Sequence, residues 1–192
     1  QLVHTETLPV GGNHVTRDLA RGLSTPIPQA ERIKTLYGSC QPSQADGRQM
    51  IEVPPITDDG VSELGQVPRS LLVNIIRPRV EEIFEMVRAR LEDAGFDKVA
   101  GRRVVLTGGA CQLAGIPDLA TSILNKQVRV GRPRRIEGLP DAAAGPGFAT
   151  CGGLLDYAVT QTQESIARSL MPDQPPPAGR WSKIGHWLRD NF

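Results

Sequence analysis

The stretch "RRVVLTGGACQLAGIPDLATSILNKQVRV", residues 102–130, constrains this chain more than any other. It reads as a buried strand, a double-glycine turn, a helix starting near Pro117 and a second short strand. Strands alternating with helices in this way predict an α/β protein. The two glycines, Gly108 and Gly109, let backbone approach a flat or phosphorylated ligand with no Cβ in the way, and a helix opening there adds unpaired N–H donors. A tight strand-to-helix turn explains the same residues. Neither GxGxxG nor GxxxxGK[ST] occurs in the chain, so neither the dinucleotide fingerprint nor the phosphate loop applies.

The rest of the chain supports the same class. Residues 2–10 look extended, as a strand in progress at the first residue, which predicts a chain that continues before Gln1. Gly11 and Gly12 then turn into a helix with Val15, Leu19 and Leu23 at four-residue spacing. "PIPQAERIKTLYG" signals a second helix, with Pro28 suited to its start and Gly38 to its stop. Short extended pieces such as "QMIEVPPI" predict a small sheet region between Ser39 and Pro68. A long helix follows, with a stripe of Ile76, Val80, Ile83, Val87 and Leu91 ending at Gly95, and Pro78 should kink or divide it. A glycine-rich loop around Gly145 and Gly147 leads into "FATCGGLLDYAV", a last core helix. Residues 172–179 form a proline-rich linker.

Composition removes several functions. The 192 residues, 39% hydrophobic, suffice for one large domain or two small ones. With 22 basic and 21 acidic residues the net charge is +1, which argues against a nucleic-acid partner. Three well-separated cysteines, Cys40, Cys111 and Cys151, suit a reducing compartment, the cytosol, better than a disulfide framework or a zinc site. His4, His14 and His186 have no metal-ligand spacing, and HExxH and GxSxG are absent, so no metal site and no hydrolase triad are assigned. No run of 18 or more apolar residues occurs and no signal peptide precedes the first element, so any membrane contact should be peripheral.

Three further groups carry two readings each. Glu31 and Lys34 place an acceptor and a donor one helical turn apart, suited to ribose hydroxyls and an adenine edge, or form a surface ion pair worth about 0.3 kcal/mol. Gly11 and Gly12 bring backbone amides toward a ligand, with Thr16 or Asp18 lining the same cleft, or make a plain turn into a helix. Lys126, Arg129, Arg132, Arg134 and Arg135 have no interleaved acid and face lipid, a neighbouring subunit or solvent.

The tail "RWSKIGHWLRDNF", residues 180–192, holds both tryptophans. At 100° per residue, Trp181, Ile184, Trp187, Leu188 and Phe192 fall within an arc of roughly 140°, opposite Ser182, Lys183, His186, Arg189 and Asp190. Thirteen helical residues span about 20 Å, too short for a bilayer core of about 30 Å and suited to its interface. Lys183 and Arg189 would then meet anionic headgroups. Packing on the chain's own domain and binding a partner protein are the rival uses of such a helix.

The array "LPVGGNHVTRDLARGL", "AERIKTLYG", "IIRPRVEEIFEMV", "VVLTGGACQLAGIPDL" and "RWSKIGHWLRDNF" resembles, in order and over essentially the whole chain, the carboxy-terminal half of the FtsA family, bacterial actin homologues of the cell-division machinery. The resemblance implies the second lobe of an actin-like (ribonuclease-H-like) ATPase fold with a small α/β subdomain inserted, plus a C-terminal amphipathic helix. Its approximate parts are residues 1–30 and 104–171 for the larger subdomain, 31–103 for the smaller, 172–179 for the linker and 180–192 for a membrane-targeting helix. It implies a nucleotide site for ATP with Mg, carried onto Gly12, Glu31, Lys34, Gly108, Gly109 and Ala110. The phosphate loop and hydrolytic acid of the family's first lobe would precede Gln1, so this chain alone should bind nucleotide weakly or not at all and hydrolyse none. The tail peptide of the tubulin homologue FtsZ is the implied partner of Arg79, with Arg77 and Glu82 beside it. Arginine forks suit carboxylates, although helix charges facing solvent explain these residues too. The implied function is an adaptor that self-polymerises, joins other division proteins and tethers FtsZ filaments to the inner face of the cytoplasmic membrane at the division site. An actin-like ATPase or chaperone lobe, or a pilus-assembly actin-like protein, driven by nucleotide, is the alternative.

Overall fold

A computed structural model describes residues 4–55, 65–96, 101–133 and 140–170, the last nine of these by backbone alone. The linker at 172–179, the tail at 180–192, and Arg134 and Arg135 lie outside the described residues. Residues 1–150 group into one compact unit and 151–192 into a second.

Within the first unit, α1 (Gly12–Gly22) starts where the glycine pair predicts and buries Val15, Thr16 and Leu19. The next helix, α2 (Ile27–Tyr37), follows Pro26, carries Pro28 in its first turn and stops at Gly38. Gly38 has no left-handed backbone; its reason is space, since a Cβ there would lie 2.3 Å from the Lys34 carbonyl oxygen and 2.6 Å from Leu113. Strands β1 (Met50–Val53) and β2 (Gly65–Pro68) pair antiparallel, with Ile51 opposite Val67. Helix α3 (Arg69–Asp93) follows directly. Then β3 (Arg103–Leu106) and β4 (Gln127–Val130) pair in parallel, Val104 opposite Val128, and are joined through α4 (Ile116–Leu124). Parallel strands need such a crossover. The core joins Val15 and Leu19 of α1, Ile33 of α2, Leu72, Ile76, Val80 and Phe84 of α3, and Ile116, Ala120 and Leu124 of α4.

Four expectations change. Residues 4–10 form no strand; extended chain becomes a strand only where a neighbour completes the ladder, and among the described residues none does. His4 lies 3.5 Å from Glu6 within the segment, its ring is 5.1 Å from that of Phe96 just past α3, and Glu6 pairs with Arg90 of α3 at 3.3 Å. Pro78 does not divide α3, which runs through it for 25 residues. Proline inside a helix costs about 3 kcal/mol, and fully burying an apolar side chain returns ~1.5–3 kcal/mol. Leu72, Val73 and Ile76 before Pro78, and Val80 and Phe84 after it, are all buried, so packing on both sides holds the helix together. Strand β3 is only half buried, with Val105 exposed. Finally, "FATCGGLLDYAV" does begin a helix, α5 (Ala149–Leu170), but Leu154, Leu155, Tyr157 and Val159 are exposed. The segment is not a core helix among the described residues.

Candidate nucleotide cleft

The turn after β3, the first turn of α1 and the stretch of α2 from Glu31 to its stop at Gly38 border a cleft of about 820 Å³. Ligand pockets run from about 300 to 1,000 Å³. Gly12, Glu31, Lys34, Gly108, Gly109 and Ala110, six residues drawn from three separate stretches of sequence, all line it. Asn13, His14, Thr107, Gln112 and Leu113 line it as well, and sequence reasoning missed them because each is defined only once α1 and the glycine turn face one another.

The glycines have distinct roles. Gly108 has φ +93°, a conformation that strains any residue with a Cβ, and its N–H donates to the Pro146 carbonyl at 3.0 Å. Gly12 is needed for proximity: a Cβ there would lie 3.1 Å from that of Ala110, so the start of α1 sits against the glycine turn. A Cβ at Gly109 would meet nothing within 4 Å, leaving its backbone open. The first turn of α1 points its unpaired N–H donors to one end, and Gly11, Gly12 and Asn13 are at the cleft.

Glu31 and Lys34 are joined at 2.6 Å, yet this is no solvated helix pair, because Lys34 is only 8% exposed. Its ammonium donates to Glu31 Oε2 at 2.6 Å, Thr16 Oγ1 at 2.8 Å and the Gly12 carbonyl at 3.3 Å. Thr16 Oγ1 in turn donates to Glu31 Oε2 at 2.5 Å. Partial burial works to raise the Glu31 pKa, but the hydrogen bonds from Lys34 and Thr16 and the lysine charge outweigh it and hold the carboxyl below its ordinary value. Thr16 itself is buried behind the cleft wall and lines none of it. Asp18 does not line it either; it binds Arg79.

The candidate partner residues lie on α3, outside the cleft lining. Arg79 Nε donates to Asp18 Oδ2 at 2.5 Å, its Nη2 reaches Asp18 Oδ1 at 3.4 Å, and its Nη1 binds Glu82. The hydrogen bond that Arg79 donates to Asp18 leads the interactions that raise the Arg79 pKa. Arg77 pairs with Glu81 at 2.7 Å. Arg79 thus ties α3 to α1 with its fork already occupied by carboxylates.

Cys40 and Cys111 are buried free thiols and Cys151 is exposed. Burial pushes the Cys40 thiol up to about 11 and raises that of Cys111, so neither forms a thiolate near neutrality. Among the described residues no three His, Cys, Asp or Glu side chains gather as a metal site, and no helix is long and apolar enough to cross a membrane.

The architecture is that of the actin-like proteins. It matches MreB 5 of Spiroplasma citri, solved bound to AMPPNP, with a TM-score of 0.59 at 17% identity over 85% of this chain and 47% of that one. The same protein bound to ADP gives a TM-score of 0.57 at 16% identity over 82% and 47%. The family model for Cell division protein FtsA matches residues 1–153, and the chain belongs to the FtsA family of cell-division proteins. It is 46% identical to Cell division protein FtsA of Rhizobium meliloti, over 100% of this chain and 44% of that protein. It is 33% identical to that of Escherichia coli K12, over 100% and 46%. The chain therefore spans a little under half the length of these relatives.

Proposed function

We propose that this chain carries the nucleoside side of an ATP site in an actin-like division adaptor that polymerises and links FtsZ to the cytoplasmic membrane. The observation that carries the nucleotide reading is the convergence of Gly12, Glu31, Lys34 and Gly108 to Ala110 on one cleft. The solved relatives of the fold hold AMPPNP and ADP, which supports the same reading. A glycine edge with an open backbone suits the flat face of a base, and an ionised carboxylate suits sugar hydroxyls. ATP would bring magnesium with its phosphates. Calorimetric titration of ATP tests this: the 192-residue chain should bind weakly or not at all, whereas the protein expressed from its complete gene should bind with micromolar affinity or better. Absence of binding by the complete protein would remove the nucleotide reading.

FtsZ binding rests on Arg79 and its neighbours on α3. Arg79→Glu should weaken binding of an FtsZ tail peptide roughly tenfold or more by opposing its acidic groups. Because that change also breaks the bridge to Asp18, Asp18→Asn is the control; it frees the arginine and should bind the peptide at least as well as the parent. Equal anisotropy titrations for the parent and Arg79→Glu would rule out this site. The tail at 180–192 supplies the membrane contact by its separated apolar and basic faces. Weak binding by one copy, multiplied along a polymer, gives firm attachment.

A further inference from the structure

We propose that Thr16, buried behind the cleft wall, is the positioning residue of the nucleotide site and sets which oxygen Glu31 offers to the ligand. The inference rests on the nucleotide reading above and deepens it. An ammonium has three donors, and those of Lys34 reach Gly12 O, Thr16 Oγ1 and Glu31 Oε2. The lysine is thereby a staple between α1 and α2 with no donor left over. Thr16 closes the triangle, accepting from Lys34 and donating to the same Glu31 Oε2. The hydroxyl has a single proton, and the Glu31 oxygen at 2.5 Å takes it ahead of the Gly12 carbonyl at 3.1 Å.

Both bonds to Glu31 fall on Oε2, so its other oxygen takes none among the described residues. The Glu31 side chain is 50% exposed and lines the cleft. One oxygen is held from behind, which leaves the other to accept from a ligand in the cleft. Thr16 touches no part of the cleft and acts wholly through its neighbours. A glutamate with free rotamers would lose part of its affinity in becoming ordered on binding; the shared hydroxyl removes that loss beforehand.

The test compares Thr16→Val, which keeps the shape and loses the hydroxyl, with Thr16→Ser, which keeps the hydroxyl. A fluorescent ATP analogue is titrated into each protein, expressed from its complete gene, from pH 8 down to the acid edge of folding, with thermal melting in parallel. Thr16→Val should bind about tenfold more weakly, as expected for losing a hydrogen bond to a charged group, and Thr16→Ser should recover most of the affinity. The pH profile separates positioning from general damage. Ionised Glu31 accepts a hydrogen bond more strongly than its neutral acid, and its folded pKa is depressed, so affinity falls as pH drops through that pKa. Losing the Thr16 bond raises it, and the acid limb of the Val variant should move to higher pH. The groups facing Glu31 are Lys34 on its own helix and Thr16 on α1, with His14 of α1 at the same cleft. The glycine turn contributes Cys111, which donates inward to the Gly108 carbonyl. All but Thr16 are common to the variants and cancel in the comparison. Loss of affinity in the Val variant, recovery with Ser and a displaced acid limb together support the proposal. Equal affinity of Thr16→Val and the parent overturns it while leaving the nucleotide reading intact, and so does a uniform loss with an unmoved limb. No binding by the parent overturns both.

Discussion

Asp46→Ala should lower the stability of the folded chain by about 3 kcal/mol, the lower end of what breaking a buried ion pair costs. The Asp46 carboxylate is 2% exposed and lies 2.7 Å from Arg69 Nη1. Its other oxygen accepts from the Ser43 N–H at 2.7 Å, while Arg69 Nε donates to the Tyr37 carbonyl at 2.9 Å. One pair therefore fastens the end of α2, the turn at Ser43 to Arg48 and the start of α3. Without Asp46 the guanidinium keeps its partly buried seat and loses its counter-charge; residual exposure of 23% lets water recover some of the difference. For a protein of this size, a melting temperature roughly 6–12 °C lower is expected, with Asp46→Asn in between because it retains an acceptor. A drop under about 2 °C for Asp46→Ala would show that the pair holds nothing together.

Trp187→Glu should abolish sedimentation of the chain with anionic vesicles. The tail has five large apolar residues, and each contributes up to ~1.5–3 kcal/mol on full burial, with about 1 kcal/mol from each of Lys183 and Arg189 near anionic lipid. Folding the segment on the surface subtracts from that sum. The balance is small, so replacing the central tryptophan with a carboxylate removes a favourable contribution and adds repulsion from the lipid charge. Ser182→Ala, on the polar arc, should scarcely change pelleting. Equal pelleting of the parent and Trp187→Glu, with no blue shift of tryptophan emission on adding lipid, would leave the tail without a membrane role.

Local signals with a physical cause were readable in the sequence. The glycine pair at the start of α1, Pro28 and Gly38 around α2, and Pro117 at the start of α4 each mark a boundary through backbone freedom, room for a close approach or a missing donor, and the structure has helix ends there. The Pro78 expectation failed because a local rule met packing it could not see: Ile76 and Val80 are buried on either side. Val105 failed for the opposite reason, since an apolar run looks the same whether a neighbour covers one face or two. In the cleft, glycines and a charged pair could be named as candidates, but the direction of Lys34 could not. Its burial depends on α1 lying across α2, which no spacing within "AERIK" encodes. The Asp46 clamp did leave a trace, the Ser-x-x-Asp spacing of Ser43 and Asp46 that lets a side chain return to the first N–H of a turn. Its partner Arg69 lies 23 residues further on, beyond the reach of any local pattern.

Helix α3, at 25 residues about 37 Å long, touches α1, α2, β2 and α4. Two-stranded sheets are marginal by themselves, and each of the two sheets described has only two strands. Neither sheet can outlast its support, which α3 gives to β2 directly and to the β3–β4 sheet through α4. The antiparallel pair and the nucleotide edge, though separate in sequence, should therefore exchange their amide protons at a common rate set by the opening of α3, making this helix the unit of cooperativity for the first 130 residues.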